Sequence, residues 1–197
     1  MKKGLLVLLI VGGIVAVIAL MFGGTYNRLV TAEEAVSGAW AQVQNVYQRR
    51  ADLVPNLVET VKGYASHERE TLQGVVEARS KVSQMTVGEE VINNPELLQK
   101  FQASQGELSS ALARLMVVVE RYPDLKASQN FLTLQAQLEG TENRISVERM
   151  RFNDMAQAFN TLRRRFPNNV IAGILGFEKK AYFEADAGAQ KAPEVKF

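Results

Sequence analysis

The chain has no cysteine and a single histidine among its 197 residues. Without thiols there are no disulfides, no cysteine nucleophile, no iron–sulfur cluster and no zinc–thiolate site. A lipoprotein anchor, which needs an N-terminal cysteine to acylate, is excluded as well. The lone His67 rules out the paired Glu-x-x-His motifs of a di-iron bundle and the two-histidine zinc motif. Gly173-Ile174-Leu175-Gly176 lacks the spacing of a phosphate loop, and no strand pattern precedes it. Ser66 and Ser128 lack the glycine-flanked elbow of a serine nucleophile. The body also lacks excess positive charge. Net charge is +2, and Lys2 and Lys3 account for it, leaving 23 − 2 = 21 basic against 21 acidic residues. A neutral body argues against nucleic acid as a partner, because binding it requires a basic surface. No cofactor or metal is expected, and with the parts of an active site missing the chain reads as a non-enzyme.

One long stretch carries no charge at all. It covers residues 4–27, with an apolar heart at 5–22. Eighteen helical residues reach roughly 27 Å, close to the hydrocarbon thickness of a bilayer. The pattern predicts an N-terminal transmembrane anchor over residues 1–25. A cleaved signal peptide is the plain alternative. The run is long for one, and Ala-Leu-Met-Phe-Gly at 19–23 is no small-x-small cleavage site. A pilin-like leader would keep a glutamate inside the run, and none is there. Lys2 and Lys3 precede the run, while Arg28 is the one basic residue after it before Arg49. The positive-inside rule then places the N-terminus in the cytoplasm and the body outside, in a double-membrane bacterium the periplasm.

Beyond residue 25 the apolar residues recur at three and four, the helical period. A first soluble helix is expected over about 26–50, with Leu29, Val36, Trp40, Val43 and Tyr47 as its stripe. Asp52 and Pro55 mark a break or a tight helix start. A second helix follows to about Met85, carrying Val54, Val58, Val61, Ala65, Leu72, Val75 and Val82 on one face. Asn94 then Pro95 is a helix-start signal, and Pro123 ends that third helix. The fourth helix begins near Lys126 to Ser128. Its seam alternates threes and fours from Phe131 through Leu138, Ile145, Phe152 and Phe159 to Phe166, the heptad spacing of a coiled coil. Long helices with short connections predict an all-α, antiparallel up-down four-helix bundle over residues 26–167. Residues 168–197, with three glycines and scattered aromatics, read as a short apolar turn followed by a partly extended tail.

Candidate functional residues are few. His67 sits among charged neighbours and reads as solvated. Arg163, Arg164 and Arg165 close a helix, where cations offset the C-terminal dipole. With Lys2 and Lys3 they are the candidate lipid-headgroup or phosphate contacts. Trp40, Tyr47, Arg49 and Arg50 are the candidate partner contacts, since Trp, Tyr and Arg dominate binding hot spots. Core packing is the competing reading of Trp40. Thr141, Glu148, Glu68, Arg79 and Arg50 fall on seams. They either snorkel at the bundle edge or form register-fixing pairs such as Glu148 with Arg50 or Arg79.

The string Arg49-Arg50-Ala51-Asp52-Leu53-Val54-Pro55-Asn56-Leu57-Val58-Glu59-Thr60-Val61-Lys62-Gly63-Tyr64-Ala65, then His67-Glu68, resembles the bacterial LemA family. So do Tyr26-Asn27-Arg28-Leu29-Val30, Arg165-Phe166-Pro167-Asn168-Asn169-Val170-Ile171-Ala172-Gly173 and Tyr182-Phe183-Glu184-Ala185. The resemblance covers nearly the whole chain. It implies a single-pass bacterial membrane protein with a helical bundle, no assigned catalytic residue or cofactor, and an accessory role in the cell envelope. The ending Phe183-Glu184-Ala185-Asp186 implies a tail over 168–197 packed on the bundle. The expected function is a non-enzymatic, membrane-anchored scaffold or adaptor, acting as a homo-oligomer or with an envelope protein partner. The alternative is a lipid-binding or membrane-remodelling rod.

Overall fold

A computed structural model describes residues 2–85 and 88–184; the side chains of Lys2 and Lys3 lie outside that description. Every element in it is helical, with no strand among the described residues. Helix α1 runs unbroken over Lys2–Tyr64. It is followed by α2 (Arg69–Gln84), α3 (Glu90–Asn93), α4 (Pro95–Val119), α5 (Pro123–Lys126), α6 (Gln129–Arg164) and α7 (Asn168–Leu175).

The expected break at Asp52 and Pro55 does not occur; α1 continues through Pro55 and ends at Tyr64, about two and a half turns later. Proline removes one backbone donor and so orphans the carbonyl four residues earlier. That carbonyl belongs to Ala51, whose residue is buried. Arg79 of α2 fills the gap, its Nε donating to Ala51 O at 2.9 Å. A side chain from another helix thus replaces the missing N–H and lets the helix continue. The real break falls at residues 65–68, and His67 is exposed in that turn rather than on a helix face.

The other boundaries follow local chemistry. Asn94 caps α4, accepting from the N–H groups of Glu96 and Leu97, with Pro95 opening the helix. Pro123 opens the short α5, and Ser128 stands before α6. Gly176 ends α7 in the left-handed region at φ 75°, and Phe177 N–H returns to Ala172 O at 3.0 Å.

Two apolar clusters form the core. One joins Leu29, Val36, Trp40, Val43 and Tyr47 of α1 to Ile145, Phe152 and Phe159 of α6, with α3, the start of α4, α7 and Phe183. The other joins Val54, Leu57 and Val61 of α1 to Phe131 and Leu138 of α6, with α2 and the end of α4. Rising numbers on α1 therefore meet falling numbers on α6, so the two run antiparallel. Lys81 meets Glu107, and Glu68 meets Tyr122, so α2 and α4 are antiparallel too.

The series Phe131, Leu138, Ile145, Phe152 and Phe159 stays buried along α6. Its companion series does so only at Thr141, whose hydroxyl donates to Gln137 O at 2.7 Å; Leu134, Glu148, Met155 and Leu162 are half-buried, and Ala156 and Asn160 are buried instead. A helix of 3.6 residues per turn drifts against a seven-residue repeat, and near its end α6 is covered by α7 and the segment after it. Phe166 leaves the seam altogether and is 84% exposed, because α6 stops at Arg164 and the chain turns at residues 165–167.

The N-terminal third of α1 touches nothing. Residues 4–24 are exposed throughout, so eighteen consecutive apolar side chains and glycines project from the packed body. Among the described residues, α1 is the one helix long and apolar enough to cross a membrane.

Candidate functional site

Three polar arrangements punctuate the apolar body. The first is built on Arg50, which is 2% exposed in the C-terminal half of α1. Its guanidinium donates to Ser109 Oγ at 2.8 Å, to Glu142 Oε2 at 2.9 Å and to the Gln105 carbonyl at 3.2 Å. The Gln105 side chain also accepts from it, and its carbon lies 5.1 Å from the Tyr47 ring centroid. One planar fork thus ties α1 to α4 and α6 together, which a point-charge lysine would not do. The partner is Glu142, not Glu148, which stands 3.9 Å from Arg151 on its own helix. Arg79, as described above, serves the Ala51 carbonyl.

The second arrangement holds the chain after α7. Residues 177–184 run extended, antiparallel to α6, in the groove between α6 and the start of α4. Side-chain amides bind this strap as a neighbouring strand would. Asn160 donates to Lys180 O and accepts from Lys180 N–H, both at 2.9 Å. Asn153 donates to Phe183 O at 3.0 Å and accepts from Phe183 N–H at 2.9 Å. Gln102 and Arg149 both donate to Glu184 O at 2.9 Å. Ala181 N–H reaches Ile92 O at 2.7 Å, and Arg163 Nε reaches Phe177 O at 2.6 Å. The register has a simple origin. Asn153 and Asn160 are one heptad apart, about 10.5 Å along a helix, and three extended residues from 180 to 183 cover about 10 Å.

Lys180 completes the strap. It is 3% exposed, and its ammonium donates to Glu33 Oε1 at 2.6 Å and Asn93 Oδ1 at 2.9 Å. Phe183 enters an aromatic cluster with Trp40, Phe101 and Phe152, its ring 5.5–6.4 Å from theirs. A buried ammonium is costly unless paired, and here it is paired and hydrogen-bonded.

The third arrangement closes the far end of the body. Tyr122 donates to Glu68 Oε1 at 3.0 Å, and Arg121 stands 3.0 Å from the same oxygen. The hydrogen bond to the carboxylate holds the Tyr122 phenol above its ordinary value.

Most of the donors and acceptors in these networks are paired with one another, although Arg50 Nε is buried without a partner, and no group of histidines and carboxylates among the described residues could hold a metal.

The structure separates the residues singled out from the sequence. Trp40, Tyr47 and Arg50 are buried within the chain's own core, and Arg49 alone of that set is exposed. Trp40 packs against Phe101 and Phe152 with centroids 5.3 and 5.7 Å away, which is the core-packing reading. Of the arginine triplet, Arg163 is half-buried and spent on the strap, while Arg164 and Arg165 are exposed. The sequence reading missed Asn153, Asn160, Gln102 and Lys180. Only the first pair left a signal, two asparagines one heptad apart on the core side of α6.

The magnetosome proteins MamQ 1 and MamQ 2 of Paramagnetospirillum magneticum are each 27% identical over 175 residues, covering 81% of this chain and 64% of their own length. The chain thus spans about two thirds of those relatives. Protein LemA of Metamycoplasma hominis is 27% identical over 165 residues, covering 84% of this chain and 71% of its own. The sequence profile of the LemA family matches residues 39–197, and this chain belongs to that family.

Proposed function

We propose that this chain is a non-enzymatic scaffold or adaptor, anchored in the bacterial cell membrane by residues 1–25 and working through its helical body. The observation that carries this reading is the continuity of α1. The apolar, unpacked residues 4–24 and the core residues from Leu29 to Val61 belong to one helix, so body and anchor are a single stiff element. The body over 26–167 is read as an up-down four-helix bundle of α1, α2, α4 and α6, with residues from 168 onward as the tail packed on it. Lys2 and Lys3 before the span support a cytoplasmic N-terminus with the body outside, in a double-membrane bacterium the periplasm.

A scaffold presents surface, and the core residues Trp40, Tyr47 and Arg50 have none to present. Arg49 keeps its role as a candidate partner contact on the outward face of α1. The partner is a second copy or another envelope protein. A photo-crosslinking side chain in place of Arg49, in living cells, tests this. A discrete adduct identified as this chain or as one envelope protein is the expected result. A position that crosslinks to nothing, or only to lipid, would contradict partner binding at this face and favour a rod that acts on membrane lipid.

A further inference from the structure

Exposed apolar residues on the body include the single positions Val76, Val117 and Leu132, and the pair Val147 and Met150 one turn apart on α6. Small exposures of this kind are normal. A larger group lies beside the anchor. Phe166 is 84% exposed on the turn after α6, and Val170 and Ile174, one helical turn apart on α7, are 51% and 70% exposed, with Leu175 beside them. The opposite side of α7 is already used, since Ile171 and Ala172 are buried in the core. This short helix is therefore apolar on two faces, and one of them faces out.

The position of α7 along α1 supplies the occupant. Phe177, which follows it, packs against Tyr26 with ring centroids 6.2 Å apart. Tyr26 lies four residues past Phe22, the end of the apolar run, which is about 6 Å along a helix. The polar interface of a bilayer extends roughly 5–8 Å beyond the hydrocarbon on each side. If α1 crosses the membrane, α7 must lie at the headgroup layer. The flanking charge suits that layer. Arg164, Arg165 and Lys179 are exposed, and Glu178 is the one carboxylate in the stretch from 164 to 179. Apolar side chains bordered by exposed cations are the pattern of an interfacial helix on an anionic membrane.

We infer that Phe166 and the outer face of α7, Val170 and Ile174, form a second membrane contact: a footing that rests in the bilayer interface beside the anchor, with Arg164, Arg165 and Lys179 on anionic headgroups. This inference rests on the reading of α1 as a membrane span. A helix anchored at one point can tilt and turn, and a second contact beside it fixes the orientation of the body on the membrane. It also gives the strap a task. Residues 177–184 are clamped directly after α7, so Asn160 and Lys180 hold the footing in place.

The absence of native cysteine makes a direct test simple. The full chain carries one nitroxide label at a time, at Ile14→Cys, Ile174→Cys or Val117→Cys, in vesicles of phosphatidylcholine with phosphatidylglycerol. Accessibility to oxygen against a water-soluble nickel chelate reports depth. The expected result is a ratio at Ile174 severalfold above that at Val117, approaching that at Ile14. A ratio at Ile174 equal to that at Val117, with Ile14 still deep, would overturn the footing and leave the anchor standing. Ile14 in water would overturn the anchor and the footing with it. Label–label broadening at Ile174 that disappears on dilution with unlabelled chain would assign the patch to a second copy and overturn the lipid contact.

Discussion

The pairing of Arg79 with the carbonyl that Pro55 leaves open is a determinant of the fold that rests on two residues. A buried acceptor without a donor costs about 1–3 kcal/mol. Arg79→Met should therefore destabilise the chain by about 2 kcal/mol while Pro55 is present. Pro55→Ala restores an N–H to Ala51 O, so in that background the same replacement should cost well under 1 kcal/mol. Denaturant unfolding of the four chains of this cycle checks the claim, and additive costs would refute it. Tyr122 offers a pH test at the same scale. Its phenol is held above the ordinary 10.0 by the hydrogen bond to Glu68. The folded state therefore keeps this proton more tightly than the unfolded chain does. The stabilisation is fully present below the ordinary value and is lost as pH rises through the raised one. In Glu68→Gln the titration of Tyr122, followed by NMR of labelled tyrosine, should fall back toward 10.0; an unchanged titration would remove Glu68 as the cause.

Among the elements, the strap over 177–184 behaves like a strand whose neighbour is a row of side-chain amides. The amide protons of Lys180, Ala181 and Phe183 each have a partner and should exchange slowly with solvent. Asn160→Ala should release the Lys180 proton first and cost about 1–2 kcal/mol, because it leaves both the N–H and the carbonyl of Lys180 unpaired. Equal exchange in both proteins would mean the amide row does not hold the strap. The sequence made α4 and α6 legible through Asn94-Pro95, Ser128 and the apolar period, and the span through its lack of charge. It misplaced the first break, because Pro55 is a local signal and its remedy, Arg79, is non-local. It made a turn of α7 and left α3 unread, since helices this short exist by burying Val91, Ile92, Ile171 and Ala172 rather than by any period of their own. Arg50 was noticed as a charge on a seam, but its partners Gln105, Ser109 and Glu142 follow only from the packing of three helices. Strap contacts depend on Lys180 and Phe183 meeting α1, α4 and α6 across most of the chain, and no short-range pattern encodes that.

For the molecule as a whole, the proposal joins an anchor, a body and a footing in one chain, with α1 running from the anchor into the core of the body. On the proposed reading the protein holds a partner at the membrane. The most direct test is the mass and composition of the native protein after gentle detergent extraction, by mass photometry with mass spectrometry of what co-purifies. The account predicts either a homogeneous particle of several copies of this chain or a stoichiometric companion from the envelope. A single copy with no companion, under conditions that keep other envelope complexes intact, would contradict the scaffold.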